Sequence, residues 1–322
     1  MHAQERAAET HPLDGVWVPG SALLARAQSD GSGGPTDPAR LGAAWPEAES
    51  PEPVRPGPQE LLTAAARSGA TGVALPARAL RGGPPLEPTD AALRIDLDPE
   101  DLSRRARAAT AEAVALGADL LGIPVPDPAA GDGAAFGARA IEAALLAAEQ
   151  EDAEVVLLLE HPSAVPLALE LAAPEGPVVG VRAAFHDEEA TEELAAREDL
   201  GLIAAADEFV GAFRRGAGAM EGALCVLAPR AAAAFLERCH DDVEVAVQEE
   251  RRWLRFLEGY LRPAARRLGG ASNAGPDGLH RLCAAVGGWG PPMVPADAPT
   301  DLVRELRAAL ADQLPPLHAR LG

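Results

Sequence analysis

The sequence contains no lysine, and all 28 basic residues among its 322 residues are arginine. Asp and Glu together number 49, so the formal net charge is −21. A chain this acidic is a poor partner for nucleic acid or for an anionic membrane. The missing ε-amine also excludes any mechanism in which a lysine side chain forms an imine with a carbonyl compound.

Aromatic residues make up only 3% of the chain, and cysteine occurs three times. Cys225, Cys239 and Cys283 are odd in number and far apart, which favours reduced, buried thiols over a disulfide framework or a zinc site. No stretch approaches the ~20 uninterrupted apolar residues of a membrane span, and Met1 to Thr10 lacks the apolar run of a signal peptide. We therefore expect a cytoplasmic protein, and the absence of a Gly-rich phosphate loop in a strand-to-helix context predicts no bound cofactor.

From about Ala70 onward, short apolar runs alternate with longer segments rich in Ala and Leu. This is the pattern of βα units around a parallel sheet. Eight runs are almost continuously apolar, as strands buried on both faces should be, so the predicted fold is an α/β (β/α)₈ barrel. The predicted strands are Gly15 to Pro19, Thr71 to Leu75, Leu93 to Leu97, Asp119 to Pro124, Glu154 to Leu159, Pro177 to Arg182, Gly201 to Ala205 and Met220 to Val226.

Helical patterns separate most of these strands and continue after the last one. The stretch Pro76 to Pro88 is rich in Gly and Pro, so the helix after the second strand is predicted to be missing or very short. We expect residues 1–240 to form the barrel, with a flexible insertion near 29–58, and residues 241–322 to form a helical extension packed on it. The predicted helices are Gln59 to Arg67, Pro99 to Leu116, Gly137 to Gln150, Glu188 to Arg197, Asp207 to Arg215, Pro229 to Cys239, Val243 to Leu261, Gly278 to Val286 and Thr300 to Leu314.

Several short stretches, spread over most of the chain, resemble the dihydrodipicolinate synthase and N-acetylneuraminate lyase family of class I aldolases. The resemblance implies a TIM barrel, lyase chemistry and a homo-oligomer. It is strongest in the last third and weak in the first hundred residues. The stretches are Asp207 to Phe209, Phe213 to Ala217, Leu227 to Arg230, Leu279 to Leu282, Gly290 to Pro295, Gly117 to Leu121 and Leu13 to Pro19.

The positions that carry the family's chemistry differ here. Members of the family form an imine on a lysine of strand six, and Arg182 of Val179-Gly180-Val181-Arg182 matches that position. Leu159 matches the tyrosine that relays protons, and Ala77 to Arg81 matches the turn that binds the keto acid's carboxylate. A guanidinium stays charged and has no free lone pair, so Arg182 cannot form an imine. The only tyrosine, Tyr260, lies in the C-terminal helical region and is interpreted as a packing residue.

Arg182 has two interpretations. In the first, Arg182 binds a ligand carboxylate with two hydrogen bonds at the carboxyl ends of the strands, where the sites of barrel enzymes lie. An internal ion pair with Glu160, Glu221 or Asp96 is the other, because a buried Arg must be paired.

The end of the fifth strand supplies the other candidate binding residues, His161 and Glu160. By the resemblance Leu159 points into the barrel, so alternation would turn His161 toward the mouth near Arg182 and Glu160 the other way. His161 is either a general base or an ordinary turn residue. Asp96, Asp98, Glu160 and His161 carry donor atoms for a divalent cation, but their spacing is not that of a metal site, and none is predicted.

The sequence thus predicts a divergent relative of this family that binds a small carboxylate without imine chemistry, as a pseudoenzyme, a regulatory protein or a partner of an active paralogue. The alternative is a lyase or hydrolase that acts on a carboxylated substrate by acid and base groups near His161 and Arg182.

Overall fold

The structure is a computed structural model. It describes residues 11, 13–19, 57–81, 83–128, 133–185, 187–204, 207–269, 276–288 and 299–321. The insertion predicted near 29–58 lies outside the described residues except for its last two positions.

Eight parallel strands close into a barrel in the order of the sequence, with β1 hydrogen-bonded to both β2 and β8. This confirms the predicted (β/α)₈ fold. The strands are β1 Gly15–Pro19, β2 Gly72–Pro76, β3 Ala92–Asp96, β4 Leu120–Val125, β5 Glu154–Leu159, β6 Val178–Ala183, β7 Gly201–Ala204 and β8 Ala219–Glu221.

Helices connect the strands around the outside of the barrel. Between β2 and β3 the described residues form only a 3-10 turn, Ala77–Ala79, as the Gly and Pro content of this stretch predicts. The helices are α1 Pro58–Arg67, α2 Pro99–Ala115, α3 Gly133–Gln150, α4 Val165–Leu171, α5 Glu188–Ala195, α6 Phe209–Arg214, α7 Ala223–Leu227, α8 Pro229–Asp241, α9 Val243–Phe256, α10 Arg262–Gly269, α11 Pro276–Gly287, α12 Thr300–Gln313 and α13 Pro315–His318.

The last of these helices pack against the outer layer of the barrel. A π-helical turn, Leu257–Leu261, joins α9 to α10. Helix α11 contacts α7, and α12 contacts α9. Trp253, Phe256, Leu282 and Leu310 are buried in the same cluster that covers the outer face of the strands. Among the described residues, no helix is both long and apolar enough to cross a membrane.

Alternation along each strand divides the buried side chains into two layers. The larger cluster lies between the strands and the helices. The smaller cluster fills the barrel interior, and Trp17 is its largest member. The Trp17 ring occupies the space that a Cβ on Gly72 would take, so the neighbouring strand must carry glycine there. The members of the interior cluster are Leu13, Trp17, Leu120, Val156, Leu158, Ile203 and Ala219.

Two sequence predictions about elements need correction. The apolar run Met220 to Val226 is a strand only as far as Glu221, because Gly222 turns the chain and the rest forms the buried helix α7. A short apolar run buried on every side has no period that separates strand from helix. Helix α4, Val165–Leu171, was not predicted at all.

Candidate functional site

Charged side chains meet at the carboxyl ends of the barrel strands. Asp96 is the last residue of β3, Glu221 is the last residue of β8, and Arg182 is the last but one of β6. Glu160 follows β5 directly. In barrels of this kind the carboxyl end is the face where ligands bind.

Arg94 lies deeper, in the middle of β3, and its side chain is fully buried. Its guanidinium carbon is 5.6 Å from the centre of the Trp17 ring, within the range of a cation–π contact. Arg94 was not among the site residues predicted from the sequence. It could have been predicted, because Arg94 and Asp96 are two residues apart in β3 and their side chains therefore lie on the same face of the strand.

These five charged groups form a chain of alternating negative and positive side chains, in the order Asp96, Arg94, Glu221, Arg182 and Glu160. Arg94 donates from Nε to Asp96 Oδ1 at 2.7 Å and from Nη2 to Glu221 Oε2 at 2.9 Å. Arg182 donates from Nε to Glu221 Oε1 at 3.1 Å and from Nη1 to Glu160 Oε1 at 2.6 Å. Glu221 therefore bridges the two arginines.

The middle of this charge chain is buried and its ends are exposed. The Arg94 and Glu221 side chains are 0% and 4% exposed, while Arg182 is 19% exposed. At the ends, the Asp96 side chain is 27% exposed and that of Glu160 is 67% exposed. A ligand at the mouth would thus meet Asp96, Arg182 and Glu160 before the buried pair.

Burial and charge act in opposite directions on the two buried carboxyls. Burial is the largest effect on Asp96, and the pKa of Asp96 is raised above its ordinary value although Arg94 acts to lower it. Burial also acts to raise the pKa of Glu221, but Arg94 and Arg182 together outweigh it, so the pKa of Glu221 is lowered. For Arg182, burial acts to lower the pKa, but Glu221 and Glu160 outweigh it and the pKa is raised.

Gly122 on β4 makes room for the Asp96 side chain. Gly122 is the register partner of Asp96 in the β3–β4 ladder. A Cβ at position 122 would overlap Asp96 Oδ1, the oxygen that accepts from Arg94. The glycine therefore leaves the space that this carboxylate occupies.

The predicted orientation of the residues after β5 is wrong. Leu159 packs in the outer cluster, whereas Leu158 lies in the interior cluster and is the register partner of Arg182. Glu160, two residues after Leu158, is the one that reaches Arg182. His161 is exposed and begins the turn Pro162–Ala164, and it is not among the ion-pair or hydrogen-bond partners described for Arg182. The match to the family assigned β5 a register that is wrong by one residue. A shift of one residue exchanges the side chains that face the barrel interior with those that face the helices.

The turn matched to the family's carboxylate-binding turn carries arginines engaged with α2. Arg78 Nη1 lies 3.7 Å from Asp98 Oδ2, and Arg81 pairs with Asp101.

Within the described part of the chain, no three His, Cys, Asp or Glu side chains cluster as a metal site requires. Tyr260 stacks on Phe256 with ring centres 5.2 Å apart, in the C-terminal helices.

The three cysteines are free and buried. Burial raises the pKa of the Cys239 thiol to about 12. A thiol that stays protonated at neutral pH is a poor nucleophile, so these residues are packing groups.

No protein-family model and no curated protein matches this chain. Solved structures do match, and they include dihydrodipicolinate synthases. The enzyme from Cyanidioschyzon merolae is 16% identical with a TM-score of 0.62, over 94% of this chain and 99% of that chain. The enzyme from Bacteroides thetaiotaomicron is 12% identical with a TM-score of 0.61, over 94% of this chain and 100% of that chain. A family protein from Coccidioides immitis is 16% identical with a TM-score of 0.60, over 98% of this chain and 99% of that chain. At these identities the similarity establishes a shared fold.

Proposed function

We propose that this chain is a barrel of the dihydrodipicolinate synthase type that binds a small carboxylate through Arg182 without imine chemistry. The observation that carries the proposal is the asymmetric pairing of Arg182. Its Nε is held by the buried Glu221 at 3.1 Å, and its Nη1 is paired with the exposed Glu160. Glu221 fixes the guanidinium, and Glu160 is the partner that a ligand can replace.

The ion pair between Arg182 and Glu160 is weak enough for a ligand carboxylate to compete with it. An exposed ion pair contributes about 0–1 kcal/mol, because water and salt screen it and a long side chain must be held still. A bidentate, charge-assisted contact to a partly buried guanidinium contributes about 1.5–3 kcal/mol. Glu160 thereby acts as an internal stand-in for the ligand.

Imine chemistry is excluded by composition, since all 28 basic residues are arginine. Glu221 and Glu160 raise the pKa of Arg182, so its guanidinium stays charged at any physiological pH. We therefore assign the chain a binding or regulatory role, either alone, as a homo-oligomer or as a non-catalytic partner of an active relative.

A second candidate function is a lyase or hydrolase that acts on a carboxylated substrate by acid–base chemistry. The observation that favours it is Asp96, a partly exposed carboxyl at the mouth whose pKa burial raises. A carboxyl whose pKa is raised holds its proton more strongly than a free carboxyl does, which favours a role in acid–base chemistry. Asp96 replaces His161 as the acid–base residue in this alternative, since His161 is exposed and is not among the ion-pair partners described for Arg182.

Calorimetric titration with small mono- and dicarboxylates tests the proposal. We expect Glu160→Gln to bind them about 3- to 5-fold more tightly than the wild type, because a competing intramolecular pair of about 0–1 kcal/mol is removed. Arg182→Ala should weaken binding by about 10- to 100-fold. The matched control is Glu244→Gln, which opens the exposed pair between Arg214 and Glu244 and should leave affinity unchanged.

The opposite pattern would identify Arg182 as a purely structural residue. In that case no acid stabilises or binds the wild type or Glu160→Gln, while Arg182→Ala lowers the melting temperature by several degrees. Equal affinity of Arg182→Ala and wild type for the same acid would also reject the proposal.

A further inference from the structure

The ion-paired charges at the barrel mouth are unequal in number. Arg94 and Arg182 face Asp96, Glu221 and Glu160, so two arginines meet three carboxylates. His280 also acts on Glu221, with a weaker effect than either arginine. When a ligand carboxylate takes the place of Glu160, the remaining four groups are neutral and the ligand adds an uncompensated negative charge. An unpaired charge in a partly buried site is costly, so a positive group on the ligand would restore the balance.

Asp96 is the group placed to meet such a positive charge. Its Oδ1 accepts from Arg94 Nε at 2.7 Å, whereas its Oδ2 has only a long contact of 3.4 Å with Arg94 Nη2. A carboxylate oxygen can accept two hydrogen bonds, so Oδ2 retains the capacity to accept from a ligand. The Asp96 side chain is 27% exposed, so a group at the mouth can reach it.

The carboxylate of Asp96 is also held in place. Arg94 fixes it from below, and the missing Cβ of Gly122 provides the space that Oδ1 occupies. A site that is already ordered loses little conformational entropy on binding. Asp96 and Arg182 lie on β3 and β6, with the buried pair of Arg94 and Glu221 between them.

We infer that the ligand of this site is a zwitterion, with a carboxylate bound by Arg182 and an ammonium group bound by Asp96. The inference rests on the proposed function, because it takes Arg182 as the carboxylate anchor. Since the two anchors stand on strands separated by two others, the ammonium lies several bonds from the carboxylate. The favoured class is a linear amino acid with its amine at the far end of the chain, not on the carbon next to the carboxylate.

Matched pairs of ligands test this inference on the wild-type protein. Each unsubstituted acid is compared with the amino acid of the same length: propionate with 3-aminopropionate, butyrate with 4-aminobutyrate, and valerate with 5-aminovalerate. We expect at least one amino acid to bind 10-fold or more tightly than its partner acid, as one charge-assisted contact implies. The chain length with the largest ratio reports the distance between the two anchors.

Two variants assign the preference to Asp96. Asp96→Asn keeps the shape and removes the charge, so we expect the ratio between amino acid and acid to fall to about 1. Asp98→Asn makes the same change two residues further along the chain, and Asn keeps the cap of α2 that Asp98 forms. This control should retain the wild-type ratio.

The outcomes separate the two proposals. If the acids bind through Arg182 and the amino acids bind no more tightly at any length, the zwitterion inference is wrong and the proposed function stands. If neither class binds to the wild type or to Glu160→Gln, the proposed function itself fails. A preference that survives in Asp96→Asn would also overturn the inference, because the ammonium would then have another partner.

Discussion

Gly122 is the residue on which the position of Asp96 depends. In Gly122→Ala the new methyl group would overlap Asp96 Oδ1, which Arg94 holds from the other side. We expect a loss of about 1–3 kcal/mol in the free energy of unfolding, as for other over-packed sites. Urea denaturation measures it. Gly259→Ala is the control, because nothing lies within 4 Å of its Cβ, and a Gly122→Ala protein as stable as this control would contradict the overlap.

We expect Glu221 to make the free energy of unfolding depend on pH. Its folded pKa is lowered, because Arg94 and Arg182 outweigh the effect of burial. It therefore contributes stability above its unfolded pKa of about 4.3, and that contribution is lost as the pH falls through the folded pKa. Asp96 acts in the opposite direction, since burial raises its pKa and its ionisation costs stability as the pH rises.

The test is the difference in free energy of unfolding between the wild type and Glu221→Gln. Removing one member of a buried ionic network costs about 3 kcal/mol or more. We expect this difference to be largest near pH 7 and to shrink as the pH falls below about 4. A difference that is independent of pH would mean that Glu221 acts only as a hydrogen-bond acceptor, without a contribution from its charge.

At the scale of elements, the sequence predicted the barrel because buried parallel strands are continuous apolar runs. β1 and β5 have the predicted bounds, and the other strands except β8 are shifted by one residue at one end or both. The prediction of one strand over Met220 to Val226 was wrong, because a buried helix of five residues has the same apolar pattern as a strand. Length and composition alone could not divide it at Gly222.

The candidate site was harder to predict than the strands that build it. Arg182 and Glu160 were identified from their position at strand ends, and the structure pairs them. Their buried partner Arg94 was missed, although its place two residues before Asp96 puts it on the same face. The predicted orientation of the side chains in β5 was wrong. It rested on matching Leu159 to Pro162 with the family's turn by the proline, and such a match does not show which side chains point into the barrel. Contacts between strands far apart in sequence settle that question, and no single strand contains them.

At the scale of the whole molecule, the comparisons concern the fold and not the chemistry. The chain shares its barrel with dihydrodipicolinate synthases at 12–16% identity. A barrel of this kind is stabilised by its layers of packed side chains, whereas its chemistry depends on a few groups at the strand ends. Here the interior holds a buried arginine stacked near Trp17 and bridged to Arg182 by Glu221. This network places fixed charges above the apolar interior cluster, at the carboxyl ends of the strands.

Borohydride reduction in the presence of pyruvate tests whether the whole chain lacks imine chemistry. We expect no covalent adduct inside the barrel, because the sequence has no lysine side chain, and peptide mapping separates an adduct at a terminal α-amino group from one in the barrel. Arg182→Lys should also remain unmodified. A lysine ammonium between Glu221 and Glu160 is stabilised in its protonated form, and imine formation requires the free lone pair. A stoichiometric adduct at position 182 of that variant would show that the two carboxylates do not hold the proton, and an adduct in the wild-type barrel would refute the prediction outright.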